Sequence, residues 1–230
     1  MAEKMNEQTI AASERKSTGT SWTRNEQFDK DGYIVVKNLW DPEDLYHPLP
    51  NITGQLNYYD KNPEHYNHQE VEGQVEGSLA RYWHPQYRLV HTGVRKKLEK
   101  IIGRKLYNTY YYDRYYFPGQ ELSKHTDRDA CEISVTCHIS TNIEEEWPIK
   151  IKGCDGLDYA ILLKAGDALM YKGCENVHWR DPCPSKNKKR SILSRLRFKE
   201  EEDDSYYHQV FFHYVLQDGE CAQQAFDQSR

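Results

Sequence analysis

The residues best placed to do chemistry in this chain are His125-Thr126-Asp127 and, far downstream, His178. Residues two apart in extended chain project to the same side, so the first motif can aim an imidazole and a carboxylate at one point. A second imidazole from elsewhere completes a set of two histidines and one carboxylate. Such a set grips one face of a divalent ion and leaves the other face open, an arrangement that suits Fe(II) and oxygen chemistry. A His-x-Asp pair by itself is a weak motif and reads equally well as a polar surface pair. Its surroundings give it weight.

Both parts of the motif sit where strands end. Pro118-Gly119 is a turn signal ahead of His125, the β-type run Cys131–Ser140 follows Asp127, and His178 lies just beyond the strand-like Ala168–Tyr171. Strand ends from two facing sheets can bring the three side chains to one ion. The histidines at 47, 65, 68, 84, 91, 138, 208 and 213 lack such company and read as structural or surface residues.

The elements that must position these residues come in a clear order. Thr23–Phe28 opens a short helix that ends near Gly32, Tyr33–Val36 is a short strand, and Asp41-Pro42-Glu43-Asp44-Leu45 opens another helix with proline in its first turn. Residues 48–82 are loop-like. Thr92–Ile102 carries an apolar face of Val94, Leu98, Ile101 and Ile102 and stops at Gly103. From there the texture is β, with candidate strands at Leu106–Phe117, Cys131–Ser140, Pro148–Lys152, Tyr159–Leu163, Ala168–Tyr171 and Tyr206–Leu216. Helices followed by a run of strands predict a mainly β sandwich or barrel with flanking helices.

The sequence reads as a polar tail over residues 1–24 and one domain over 25–230. A charged insertion at 185–204 is either an exposed lid or a solvated loop. The net charge of −5 provides no basic field for nucleic acid or anionic membrane. No apolar run approaches the roughly 20 residues of a membrane span, and the first twenty residues have no signal-peptide core. Six cysteines without a Cys-x-x-Cys pair read as free thiols in a reducing cytoplasm. The 18 tyrosines against 6 phenylalanines suit a polar pocket, since a tyrosine can fill a core while its hydroxyl finds a partner there.

Two stretches resemble a known family. Tyr112-Asp-Arg114-Tyr-Tyr116-Phe-Pro-Gly119-Gln-Glu-Leu122-Ser-Lys-His125-Thr-Asp127-Arg128-Asp-Ala-Cys131-Glu132-Ile-Ser134 and Ala165-Gly-Asp167-Ala-Leu-Met-Tyr171-Lys-Gly173-Cys-Glu-Asn-Val-His178-Trp-Arg180 are similar to the Fe(II)/2-oxoglutarate dioxygenases of the prolyl-4-hydroxylase-like and phytanoyl-hydroxylase-like type. Phe28–Val36 is similar to the opening segment of many such enzymes. The resemblance implies a double-stranded β-helix, the jelly roll also seen in cupins, with flanking helices. It implies Fe(II) held by His125, Asp127 and His178, with 2-oxoglutarate and O2 as cosubstrates. The reaction implied is decarboxylation of 2-oxoglutarate to succinate coupled to hydroxylation of an unactivated C–H bond. A carboxylate at 127 argues for hydroxylation over halogenation, because related halogenases carry a small residue there.

The family's basic anchor for the distal carboxylate of 2-oxoglutarate normally follows the second histidine on the next strand. Here that strand, His208–Val215, has no Arg or Lys. Arg180 and Arg114 are the candidate salt-bridge partners and Tyr116 the candidate hydroxyl partner, with Lys150 and Lys152 as further possibilities. Tyr110, Tyr112, Arg114 and Tyr116 alternate onto one strand face. Arg114 and Arg128 read alternatively as structural ion pairs with Glu132, and Asp181 or Glu132 as groups that orient a metal-bound histidine. The substrate is a peptidyl residue such as proline, a free amino acid or a small metabolite. Two other readings keep the fold: a cupin-like metalloenzyme that does not use 2-oxoglutarate, and a non-catalytic jelly-roll binding module.

Overall fold

A computed structural model describes residues 24–41, 74–84, 87–186 and 203–227. The polar tail before Arg24, the helix start beyond Asp41 and residues 187–202 of the charged insertion lie outside the described residues.

Helix α1 (Arg24–Asp31) leads into strand β1 (Tyr33–Val36), and helix α2 spans Arg88–Ile102. This second helix begins a turn before the expected Thr92. The reason is His91, which is buried, stacks on Phe212 and hydrogen-bonds the carbonyl of His213. A residue read as structural or surface therefore belongs to the core face, with Val94, Leu98 and Ile102. Gly103 stops the helix in the left-handed conformation, φ 70°, where its N–H bonds the carbonyl of Glu99.

The other strands are β2 (Leu79–Tyr82), β3 (Leu106–Tyr116), β4 (Leu122–His125), β5 (Ile133–Thr141), β6 (Ile149–Lys152), β7 (Asp158–Ile161), β8 (Ala168–Lys172), β9 (His178–Arg180) and β10 (Tyr207–Leu216). They form two antiparallel sheets, a six-stranded one ordered β1-β8-β5-β10-β3-β2 and a four-stranded one ordered β4-β9-β6-β7. From β3 onward the chain passes repeatedly from one sheet to the other. This is the double-stranded β-helix, a jelly roll.

Strand periodicity sorts the side chains. Ile133, Val135, Cys137 and Ile139 of β5 join Val210, Phe212 and Tyr214 of β10 in the core beneath the helices. The alternate residues Ser134, Thr136 and His138 face the small sheet. Ile149, Ile151, Tyr159 and Ile161 of that sheet pack against Leu169 and Tyr171 of β8. The six cysteines are free thiols, and Cys131, Cys137 and Cys183 are buried. Among the described residues no helix is long and apolar enough to cross a membrane.

Three strands depart from the sequence-based expectation. Residues 79–82, read as loop, form β2 on the edge of β3. The short β4 and β9 pair with each other and place His125 opposite His178. Neither shows an apolar rhythm, because the polar residues His125, His178 and Arg180 occupy inward positions. Cys131, expected to open β5, instead ends a 3-10 turn over Asp129–Cys131.

On the helix side of the large sheet, Asp113 of β3 is fully buried. Arg81 Nε reaches its two oxygens at 2.9 and 3.0 Å, and His208 Nε2 lies 2.7 Å away with its ring stacked on Tyr115. Burial pushes the Asp113 carboxyl up, but Arg81 and His208 outweigh it and hold it well below the usual carboxylate range. The folded state thus binds fewer protons here than the unfolded chain, whose carboxyl titrates near 3.8. Stability from this group is whole above that pH and is lost as pH falls toward the folded value. Asp113→Asn strands the Arg81 charge and should cost roughly 3–5 kcal/mol, measured by urea unfolding at pH 7; a loss under 1 kcal/mol would contradict this account.

Candidate metal centre

His125 ends β4, Asp127 follows two residues later, and His178 begins β9. His125 Nδ1 lies 2.8 Å from the carbonyl of Ser123, and His178 Nδ1 lies 3.0 Å from that of Asn176. A carbonyl oxygen only accepts, so each Nδ1 donates and each Nε2 presents a lone pair. Both Nε2 atoms are 3.5 Å from Asp127 Oδ1. The three donor atoms lie within 4.8 Å of one another, close enough for one ion to reach all three. Two neutral imidazoles and a hard carboxylate fit Fe(II) without a thiolate.

The large sheet holds Asp127 in place. Its N–H donates to the carbonyl of Gly173 at 2.8 Å, and Ser134 Oγ donates to Oδ2 at 2.7 Å. Ser134 Oγ is also 3.0 Å from His213 Nδ1. Gly173 is required at its position: a Cβ there would sit 2.1 Å from the Cys131 carbonyl, 2.6 Å from Asp127 Oδ2 and 2.7 Å from Ser134 Oγ. Burial pushes the Asp127 carboxyl up, but contact with His125 and the neighbouring His178, His213 and Ser134 bring it down to about 2. It is therefore a carboxylate, ready to bind a cation. Burial lowers the pKa of His178 and so favours the neutral form a ligand needs; at His125 burial acts the same way but is outweighed by Asp127 and the Ser123 carbonyl, which raise its pKa. A second group of potential donors, Asp127, Cys131 and His213, shares the same carboxylate. Burial pushes the Cys131 thiol far up, and Tyr110 OH lies 3.1 Å from its sulfur, so it stays a neutral thiol.

Further along the inner face lie the residues expected to meet a cosubstrate. Arg180 is two residues past His178 and only 1% exposed. Its Nη1 donates to the Trp147 carbonyl at 2.8 Å, its Nη2 to Gln209 Oε1 at 2.9 Å, and the guanidinium lies over the rings of Trp147 and Tyr207. Among the described residues no carboxylate pairs with it. Its Nε, Gln209 Nε2 and Thr136 Oγ1 are buried without a hydrogen-bond partner among the described residues. Arg114 is fully buried, donates to Tyr116 OH at 3.0 Å and to Gln74 Oε1 at 3.2 Å, and lies over Tyr112, Tyr116 and Phe211. The Tyr116 ring packs edge-on against Trp147. Arg114, Tyr116 and Arg180 therefore line the inner face that also carries the triad.

Other sequence-based expectations need correction. The histidines are oriented by backbone carbonyls, whereas Asp181 pairs with Lys150 at 2.8 Å and Glu132 accepts the N–H of Leu216. Arg128 pairs with Asp227, not with Glu132. Lys150 and Lys152 alternate with the core residues Ile149 and Ile151 and stand on the opposite side of the small sheet. The sequence reading missed Ser134, His213, Gly173, Tyr171 and Gln74. Only Ser134 left a trace, as an inward position in the β5 alternation.

No protein-family model matches the sequence, and no curated protein matches it. Solved structures with the same fold include a prolyl-4-hydroxylase from Pseudomonas putida, 11% identical, with a TM-score of 0.54 over 82% of this chain and 94% of that one. An oxidoreductase of the 2OG-Fe(II) oxygenase family from Burkholderia pseudomallei is 9% identical, with a TM-score of 0.53 over 84% and 88% of the two chains. The non-haem α-ketoglutarate-dependent epimerase SnoN of nogalamycin biosynthesis is 12% identical, with a TM-score of 0.54 over 82% and 79%. The likeness is one of fold: the chain has the double-stranded β-helix of 2-oxoglutarate/Fe(II) oxygenase structures.

Ser134→Ala removes the hydroxyl that fixes Asp127 Oδ2. Losing such a supporting bond typically costs 10–100-fold in metal affinity. Calorimetric titration with Mn(II) should show a loss of about that size with an unchanged thermal midpoint; an unchanged affinity would contradict the role given to Ser134.

Proposed function

We propose that the protein is an Fe(II)- and 2-oxoglutarate-dependent dioxygenase that hydroxylates an unactivated C–H bond. Its substrate is a peptidyl residue such as proline, a free amino acid or a small metabolite. The observation that carries the 2-oxoglutarate reading is Arg180, a buried guanidinium without a carboxylate partner among the described residues, two residues from His178 on the same strand. A buried charge is costly unless it is paired. A dianionic cosubstrate would supply the missing charge.

In this reading His125, Asp127 and His178 hold the iron. Bound iron with 2-oxoglutarate supplies the activation of dioxygen. The chain's own residues bind and orient. Arg180 takes the distal carboxylate, with Tyr207 and Gln209 beside it on β10, where the sequence has no base of its own. Thr136 Oγ1 and Gln209 Nε2 offer further hydrogen bonds to its oxygens. Arg114 and Tyr116 complete the polar wall. The aromatic rings of Tyr112, Phe211 and Trp147 keep water from that wall. Overall, 2-oxoglutarate, O2 and the substrate C–H become succinate, CO2 and the alcohol.

Succinate formation in air with Fe(II) tests the reading. His178→Ala should abolish it with the fold intact by circular dichroism. Arg180→Gln should raise the 2-oxoglutarate KM by at least about 30-fold, the effect of losing one partner of a buried charge pair. Iron binding with no succinate formed would favour a cupin-like metalloenzyme, and no metal binding a jelly-roll binding module.

A further inference from the structure

The two nitrogens that a metal must reach already have partners. Gln74 Nε2 lies 2.8 Å from His125 Nε2, and the Tyr171 hydroxyl lies 3.2 Å from His178 Nε2. In the neutral ring that a metal needs, each imidazole donates through Nδ1 to a backbone carbonyl, so each Nε2 accepts and Gln74 and Tyr171 are the donors. The two approach from different sides. Gln74 is exposed and precedes β2, whereas Tyr171 is buried on β8.

Neither donor is free to swing far. The Gln74 amide is held at its other end by Arg114, whose Nη2 donates to Oε1 at 3.2 Å, and Arg114 is itself fully buried against Tyr112, Tyr116 and Phe211. Tyr171 is fixed by its place in the β8 ladder, with its ring 4.6 Å from that of His178. A phenol hydroxyl is a donor at neutral pH, and Ser134 lies beside it.

A metal and these donors therefore compete for the same two lone pairs. When an ion takes them, the Gln74 N–H and the Tyr171 O–H lose their acceptors but stay beside the ion. For the buried Tyr171 hydroxyl a missing acceptor is unfavourable; an oxygen atom of a ligand on the ion's open face removes that penalty and offers the exposed Gln74 N–H an acceptor in place of water. We propose that Gln74 and Tyr171 are specificity-determining donors that occupy the ligand nitrogens in the metal-free protein and, once metal displaces them, hydrogen-bond the oxygen-rich ligand on the metal. This rests on the reading above, which makes that ligand 2-oxoglutarate. The donors restrict the open face to ligands that bring acceptor oxygens to both sides of the ion.

The competition predicts effects of opposite sign. Calorimetry would follow Mn(II), an air-stable stand-in for Fe(II), into the metal-free protein, then 2-oxoglutarate into the Mn(II)-loaded protein. Tyr171→Phe and Gln74→Leu should each bind Mn(II) about two- to tenfold more tightly than wild type and 2-oxoglutarate about two- to tenfold more weakly, the range expected for one hydrogen bond. Residues that merely pack the site would move both affinities the same way or neither. Wild type that binds both ligands, with variants whose Mn(II) affinity is unchanged or weaker, or whose 2-oxoglutarate affinity is unchanged, overturns this inference alone. Wild type that binds no Mn(II) overturns the proposed function and the inference with it.

Discussion

Everything at the centre of this molecule depends on holding one carboxylate, Asp127, in the gap between two sheets. The small sheet contributes the histidines, paired across β4 and β9. The large sheet secures the carboxylate through the Gly173 carbonyl after β8 and the Ser134 hydroxyl on β5. The two sheets must therefore keep a fixed spacing. That explains the glycine at 173, where even a methyl group would collide with the Asp127 oxygen and the Cys131 carbonyl. It also explains why both imidazoles are tied through Nδ1 to the backbone: a side-chain anchor could rotate away more easily than a backbone carbonyl.

The fold handles buried positive charge in two ways. On the helix side of the large sheet, Arg81 meets Asp113, which also takes a bond from His208, and the charge is neutralised within the chain. On the inner side, Arg180 has only neutral acceptors and aromatic faces around it among the described residues. Aromatic rings and carbonyls soften an isolated guanidinium without cancelling its charge. The first arrangement contributes stability; the second leaves an electrostatic demand that an anionic ligand would meet. Both sit on or against the same pair of strands, β3 and β10, on opposite faces.

Much of this was legible in the sequence because strand alternation carries direction. A period of two puts His125 and Asp127 on one side, sets Arg180 on the face of His178, and lines up Tyr112, Arg114 and Tyr116. The same rule hid β4 and β9, whose inward positions include His125, His178 and Arg180. It also hid the start of α2, because His91 is polar by type and core by position. Ser134, His213, Tyr171 and Gln74 were out of reach for a different reason. Their roles come from contacts between separate segments: Gln74 meets His125 across 51 residues, and Ser134 meets His213, its partner on the neighbouring β10, across 79. No local pattern encodes such distances. Sequence narrowed the proposed cosubstrate anchor to a few bases; Lys150 and Lys152 stand on the other side of their sheet, which leaves the buried Arg114 and Arg180 as candidates.

The central claim is that the triad and the inner wall together bind Fe(II) and 2-oxoglutarate. Anaerobic titration of the Fe(II)-loaded protein with 2-oxoglutarate, followed by visible absorption, addresses it most directly. A weak charge-transfer band that develops with 2-oxoglutarate and is missing from Asp127→Ala is the predicted result. Iron bound by wild type with no such band would contradict it.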